Sequence, residues 1–158
     1  MKNTHFILIK HPSETHDGAL KSATESCQAL LSWGLWPLFE NTRCRLMIKA
    51  GNQVLIYTAG QGKDARRILA TATVADVIEW SRKIESACPL FLDGIPVSAI
   101  VLEDITYLSE PVNIKDHLDD LSFIPQNREK WGVAMMGGMR SIPENDFKTL
   151  SAQKGAAA

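Results

Sequence analysis

The sequence predicts an α+β fold, a small barrel of mixed or antiparallel strands with short helices packed around it. Three observations point there. Strand-like segments outnumber helical ones, they come as hairpins around glycine-bearing turns, and no regular strand–helix–strand alternation runs along the chain. At 158 residues the length suits one domain with a substantial core. Residues 1–150 are expected to form that unit and residues 151–158 a disordered tail.

The elements follow in order. Residues 4–10, "THFILIK", are rich in β-formers and end at His11-Pro12, because proline disfavours helix in the residue before it. After a polar loop, Ser22 and Glu25 form a capping box, and Ala23, Cys27, Leu30 and Leu31 recur at helical spacing, which predicts a helix ending near Leu31. "SWGLWPL" is its exit. A second short helix is expected from Asn41 or Thr42 to just before Gly51. Residues 53–58, "QVLIYT", and 67–74, "RILATATV", make a hairpin across "AGQGKD". Val77, Trp80 and Ile84 suit one face of a helix over residues 76–86. Residues 98–108 are another strand, ended by Pro111. "VNIKDHLDDLSFI" predicts a short helix with Ile114, His117, Leu118 and Leu121 inward. The last stretch predicts a short strand, the pair Gly137-Gly138, another strand and a final helix capped near Ser141 or Pro143.

Composition narrows the function. A formal charge of −1 and an apolar content of 45% describe a globular chain without the cationic excess that sequence-blind duplex binding needs. No apolar run approaches the ~20 residues of a membrane span, and the N-terminal run is too short for a signal peptide, so a cytoplasmic protein is expected. Cys27, Cys44 and Cys88 are odd in number, far apart and without a C-x-x-C, which predicts reduced thiols and no metal or other cofactor.

The usual catalytic constellations are missing. There is no G-x-S-x-G, no G-x-x-x-x-G-K-[ST] and no H-E-x-x-H. "GQGKDARR" suits a phosphate by composition, but a strand follows it where a phosphate loop has a helix, so it reads as a solvated hairpin turn. His5, His16 and His117 have no adjacent nucleophile, and the acids of "LEDI" and "LDDL" sit on ordinary exposed turns. Binding without catalysis is the expectation.

Two segments carry a resemblance. The order "FILIKHPSE", helix, "WGLWPL", then "AGNQVLIYTAGQGKDARRILATATV" resembles the EVE domain, a branch of the PUA-like superfamily that also contains YTH domains. "PVNIKDHLDDLSFIPQNREKWGVAMMGGMRSIPENDFKTL" is similar to EVE proteins in its Trp-Gly, its glycine pair, its basic residue and its "I-x-E-x-DF" ending. The resemblance implies a PUA-like pseudo-barrel of five or six mixed strands flanked by short helices. It also implies an aromatic cage for a modified nucleobase in DNA or RNA, single-stranded or flipped out of a duplex. Trp36 in "GLWPL" takes the place of a cage tryptophan, with Trp131 and Phe123 as candidates for a second wall. Lys10, His11 and Ser13 correspond to the segment that reads the base edge, where proline stands in place of the family's asparagine. Arg140, beside Gly137 and Gly138, is placed to meet a phosphate, and Arg66, Arg67, Arg128 and Lys130 are among the residues available for a basic rim.

Each candidate also has a purely structural reading. Trp36 follows a glycine and precedes a proline, so it lies off any regular helix face but suits a core corner as well as a cage. Trp33 and Trp80 fit helix-facing core positions, and Trp131 sits between "NREK" and Gly132 where packing explains it less well. Gly137-Gly138 either admits a ligand's close approach or makes a bulge. Two other functions remain. One is an enzyme of the related ASCH group acting on RNA or a modified nucleoside, whose "G-x-K-x-x-x-x-R" signature "GKDARR" matches loosely, with Lys63 as the residue to test. The other is a protein-interaction adaptor, marked by an exposed apolar patch.

Overall fold

The computed structural model of the protein describes residues 5–62 and 65–152; Lys63 and residues 153–158 of the expected tail lie outside them. Among the described residues no helix is long and apolar enough to cross a membrane.

β1 (His5–Lys10) is buried at every position but its last. It has no polar face because it pairs on both edges and both its faces are covered. A two-stranded ribbon of β2 (Ser13–Glu14) and β3 (Leu20–Lys21) leads into α1 (Ala23–Trp33). As the sequence predicts, Ser22 accepts from the Glu25 amide while Glu25 accepts from the Ser22 amide, and Gly34, at φ 88°, closes the helix in the left-handed region. β4 (Leu35–Leu38) follows at once, then β5 (Gln53–Thr58), β6 (Arg67–Glu79), α2 (Arg82–Ala87) and β7 (Ser98–Asn113). Two 3-10 segments (Ile114–Asp120 and Arg128–Met135), β8 (Met139–Ile142) and α3 (Glu144–Ser151) complete the order.

The six-stranded sheet runs β4-β7-β6-β5-β1-β8 and curls into a half-barrel. β1 and β5 are parallel and every other pairing in it is antiparallel. Alternation along the strands builds two cores. Phe6, Leu8, Val54 and Ile56 face α1 with Cys27, Leu30 and Trp36. Ile7, Ile9, Leu55 and Tyr57 face the 3-10 segments and α3 with Ile114, Trp131 and Leu150.

Five elements differ from the sequence expectation. Residues 76–79 belong to β6, and only Arg82–Ala87 is helical; Val77 and Ile78 pair with Ile100 and Ala99 of β7, and that partner overrides a spacing that also fits a helix. Residues 41–50 form turns, because Cys44 adopts φ 62° and breaks any regular helix. Pro111 does not end β7: it falls in the irregular stretch between the Tyr107 and Val112 pairings, where no ladder amide is needed. The stretch before the glycine pair is a 3-10 segment started by the Asn127 side chain, which accepts from the Glu129 amide. Residues 35–38, expected as a helix exit, form the edge strand β4, where Pro37 costs no essential hydrogen bond.

Candidate functional site

A cleft of about 580 Å³ opens at the C-terminal end of β1, lined there by Ile9 and Lys10. The volume is in the range of small-molecule sites. The least exposed residues of its lining include Leu30 and Trp36, at 0% and 3%. Trp36 is held there because Gly34 stops α1 and turns the chain straight into β4, where Trp36 pairs with Ile100. Phe39 and Phe91 add two more aromatic side chains to the lining. The Phe91 backbone is fixed by its bridge to Glu14, its amide donating to the Glu14 carbonyl at 2.7 Å.

Polar groups gather around this apolar bottom. The Lys10 ammonium donates to the Ser13 hydroxyl at 2.7 Å and to the His11 carbonyl at 3.2 Å. Burial lowers the Lys10 pKa, and burial followed by the Lys10 charge lowers that of His11. Glu14 and Asp93, both exposed acidic residues, also line the cleft. The lining therefore presents ammonium and hydroxyl donors and carboxylate acceptors around aromatic surface. Among the described residues no group of three or more His, Cys, Asp or Glu side chains is placed to hold a metal ion.

Of the residues singled out in the sequence, Lys10, His11, Ser13, Trp36 and Gly138 meet in this cleft. Trp131 does not join Trp36. It turns inward from its 3-10 segment with Ala134 and Met135 and packs on the opposite face of the sheet, so the two indoles belong to separate cores. Phe123 packs against that second core too. Arg140 also faces away: it pairs with Ile7 in register, its guanidinium lies 5.1 Å from the Phe123 ring centroid, and its Nη1 donates to the Ala134 carbonyl at 3.4 Å. Burial, then the nearby Arg43 charge, lowers its pKa. Gly137 serves as a crossing point, with the Arg43 side chain where a Cβ would stand. Its neighbour Gly138 ties β1 to the loop, its carbonyl accepting from the Ile9 amide at 3.0 Å.

Phe39 belongs to the aromatic stretch "SWGLWPLF" but was not among the expected site residues, and nothing in the sequence singles out Phe91 and Asp93. Phe39 adjoins "WGLWPL" and was within reach of the same motif. Phe91 and Asp93 sit in an irregular stretch tied to the cleft by long-range contacts such as the Glu14 bridge.

No family model matches the sequence, and no curated protein matches it significantly. Solved structures match its fold. Human THYN1, in complex with DNA containing 5-methylcytosine, superposes with a TM-score of 0.60 at 12% identity over 95% of this chain and 96% of that one. ASCH from Zymomonas mobilis gives 0.55 at 10% identity over 94% of each chain. Atu2648 from Agrobacterium tumefaciens gives 0.55 at 15% identity over 96% of this chain and 92% of that one. At such identities the likeness carries the fold alone, and that fold is the PUA-like pseudo-barrel.

Proposed function

We propose that this PUA-like, EVE-type pseudo-barrel captures a modified nucleobase from DNA or RNA in the cleft over Trp36, without chemical turnover. The observation that carries the reading is a cleft lined by one tryptophan and two phenylalanines together with hydrogen-bonding side chains. A base has flat faces and polar edges, and stacking on an aromatic side chain is worth roughly 1–3 kcal/mol. The fold likeness to THYN1, crystallised with 5-methylcytosine-containing DNA, supports the same class of ligand.

The rim chemistry favours an amino-bearing base. Carboxylates such as Glu14 and Asp93 accept from the exocyclic amine of cytosine or adenine, whereas thymine and uracil offer carbonyl oxygens there. A methyl group alone adds only about 0.8 kcal/mol, roughly a fourfold preference, so discrimination also needs the shape of the slot and paired hydrogen bonds. A base reaches the slot only after leaving its stack, which costs least in single strands and at mismatched or damaged pairs. The formal charge of −1 fits such targets better than intact duplex.

The test is tryptophan fluorescence of the full chain, titrated with short single strands matched except for one 5-methylcytosine, 5-hydroxymethylcytosine or methylated adenine. Saturable quenching by one modified strand, weakened at least tenfold by Phe91→Ala, is the expected result. Equal, weak and salt-sensitive responses to every strand would defeat it. The rival reading, an ASCH-like enzyme, would take over if RNA or a modified nucleoside were turned over and Lys63→Ala abolished that turnover.

A further inference from the structure

Two smaller depressions adjoin the cleft, and each shares wall residues with it. One, of about 390 Å³, shares Phe91 and Leu92 and is completed by His16, Leu90 and Ile95 among others. The other, of about 360 Å³, shares His11 and is lined by Tyr57, Gln61, Arg66, Glu129 and Trp131 among others. Phe91 stands at one boundary of the cleft and His11 at the other, and the two flanking depressions share no lining residue with each other.

The flanks differ in chemistry, and each exposes a side chain on a pinned backbone. Phe91 is 55% exposed and Ile95 75%, an arrangement that leaves apolar surface in water. The Phe91 backbone is nonetheless fixed by Glu14, and the His16 ring stands edge-on to it with centroids 6.4 Å apart. On the other flank Arg66 adopts φ 62°, a left-handed conformation that non-glycine residues hold only under constraint. Its amide donates to the Thr58 carbonyl and its own carbonyl accepts from the Ile114 amide, while the side chain projects, exposed, into the depression. One flank thus offers a flat apolar surface, the other a guanidinium.

We infer that the cleft is the middle of a three-nucleotide track, in which a single strand sets its central base over Trp36, stacks one neighbouring base against Phe91 and Ile95, and lays the phosphate on its other side against Arg66. This deepens the proposed function and rests on it. Alternating stacking surface and cation is how sequence-tolerant single-strand grooves hold their ligand, so modification is read at the centre while the flanks accept any sequence. Glu129 is the carboxylate on the Arg66 side and opposes the phosphate.

The experiment compares 5-methyl-dCMP with a trinucleotide carrying central 5-methylcytosine, and with the same trinucleotide made abasic at one flank or the other. The full chain is used, with Ile95→Ser, Arg66→Gln, Arg66→Lys and Glu129→Gln variants checked by thermal melting. The trinucleotide is expected to bind at least tenfold tighter than the mononucleotide. One abasic flank loses most of that gain, and which one it is gives the strand direction. Arg66→Gln lowers the slope of log affinity against log salt by about 0.7, the share of one single-strand phosphate. Arg66→Lys restores it, Glu129→Gln tightens binding, and Ile95→Ser weakens binding without touching the slope. Equal affinity for mononucleotide and trinucleotide would overturn the track and leave the central site standing. No binding by any probe would overturn both.

Discussion

The Lys10 ammonium reaches back across the end of β1 to the Ser13 hydroxyl at 2.7 Å. It thereby holds the turn that carries His11 and Pro12 against the cleft, at the point where burial disfavours its own charge.

Replacing Lys10 by methionine separates these two effects. The stem of similar length keeps the packing, and the buried charge disappears, so the melting temperature holds or rises. Affinity for a modified strand falls tenfold or more, since a hydrogen bond from a charged group contributes about 1.5–3 kcal/mol. Thermal melting and titration on the same sample check both; a lower melting temperature with unchanged affinity would make Lys10 structural.

Trp36 has two duties, and two substitutions tell them apart. Trp36→Ala opens a cavity in the core that holds Leu30 and Ile100, and is expected to cost about 3–5 kcal/mol in denaturant unfolding. Trp36→Phe keeps an aromatic ring, costs the fold much less and still weakens base binding. Binding that survives Trp36→Phe intact would remove the indole from the site.

His11 makes the fold acid-sensitive in a stated direction. Its folded pKa is lowered from 6.5 by burial and by Lys10. Below pH 6.5 the unfolded chain therefore takes up a proton that the folded chain resists, and stability falls as pH drops through the folded value. Above that window His11 contributes nothing. His11→Asn should flatten this part of the acid slope, seen by comparing denaturant midpoints at several pH values. A phosphate bound beside His11 would raise its pKa, visible in NMR titrations with and without a modified strand.

Gly137 and Gly34 allow a controlled comparison. Both have positive φ, 90° and 88°, but a Cβ on Gly137 would meet Arg43 Cδ at 2.6 Å, whereas nothing lies within 4 Å at Gly34. Each alanine substitution is expected to cost about 1 kcal/mol for the backbone alone. Only Gly137→Ala also displaces Arg43, so combining it with Arg43→Ala should cost less than the sum of the single changes, whereas Gly34→Ala and Arg43→Ala should add.

Local chemistry was readable wherever a few neighbouring residues decide it. Ser22 and Glu25 start α1, Gly34 ends it, and the β5–β6 hairpin follows from its β-branched runs and glycine turn. Lys10, His11, Ser13 and Trp36, brought together in the sequence only by the resemblance to EVE and YTH segments, line one cleft. The sheet face is not a local signal: nothing around Trp131 says that it packs with Ile7 and Tyr57 while Trp36 packs with Phe6 and Leu8. The helix expected over residues 76–86 failed for a related reason, because Val77 and Ile78 satisfy either period until β7 is there to pair with them.

The order of the sheet sets a timetable for biosynthesis. β1 is made before both of its sheet partners: one of its edges waits for β5 and the other for β8, the last strand in the order. At ~5–20 residues per second, the second wait is on the order of ten seconds. Throughout it the apolar strand "HFILIK" keeps an open edge, the kind of surface that chaperones shield and that aggregates otherwise. Gly138 arrives in the same later segment, so a nascent chain has the Trp36 wall long before it has a finished cleft.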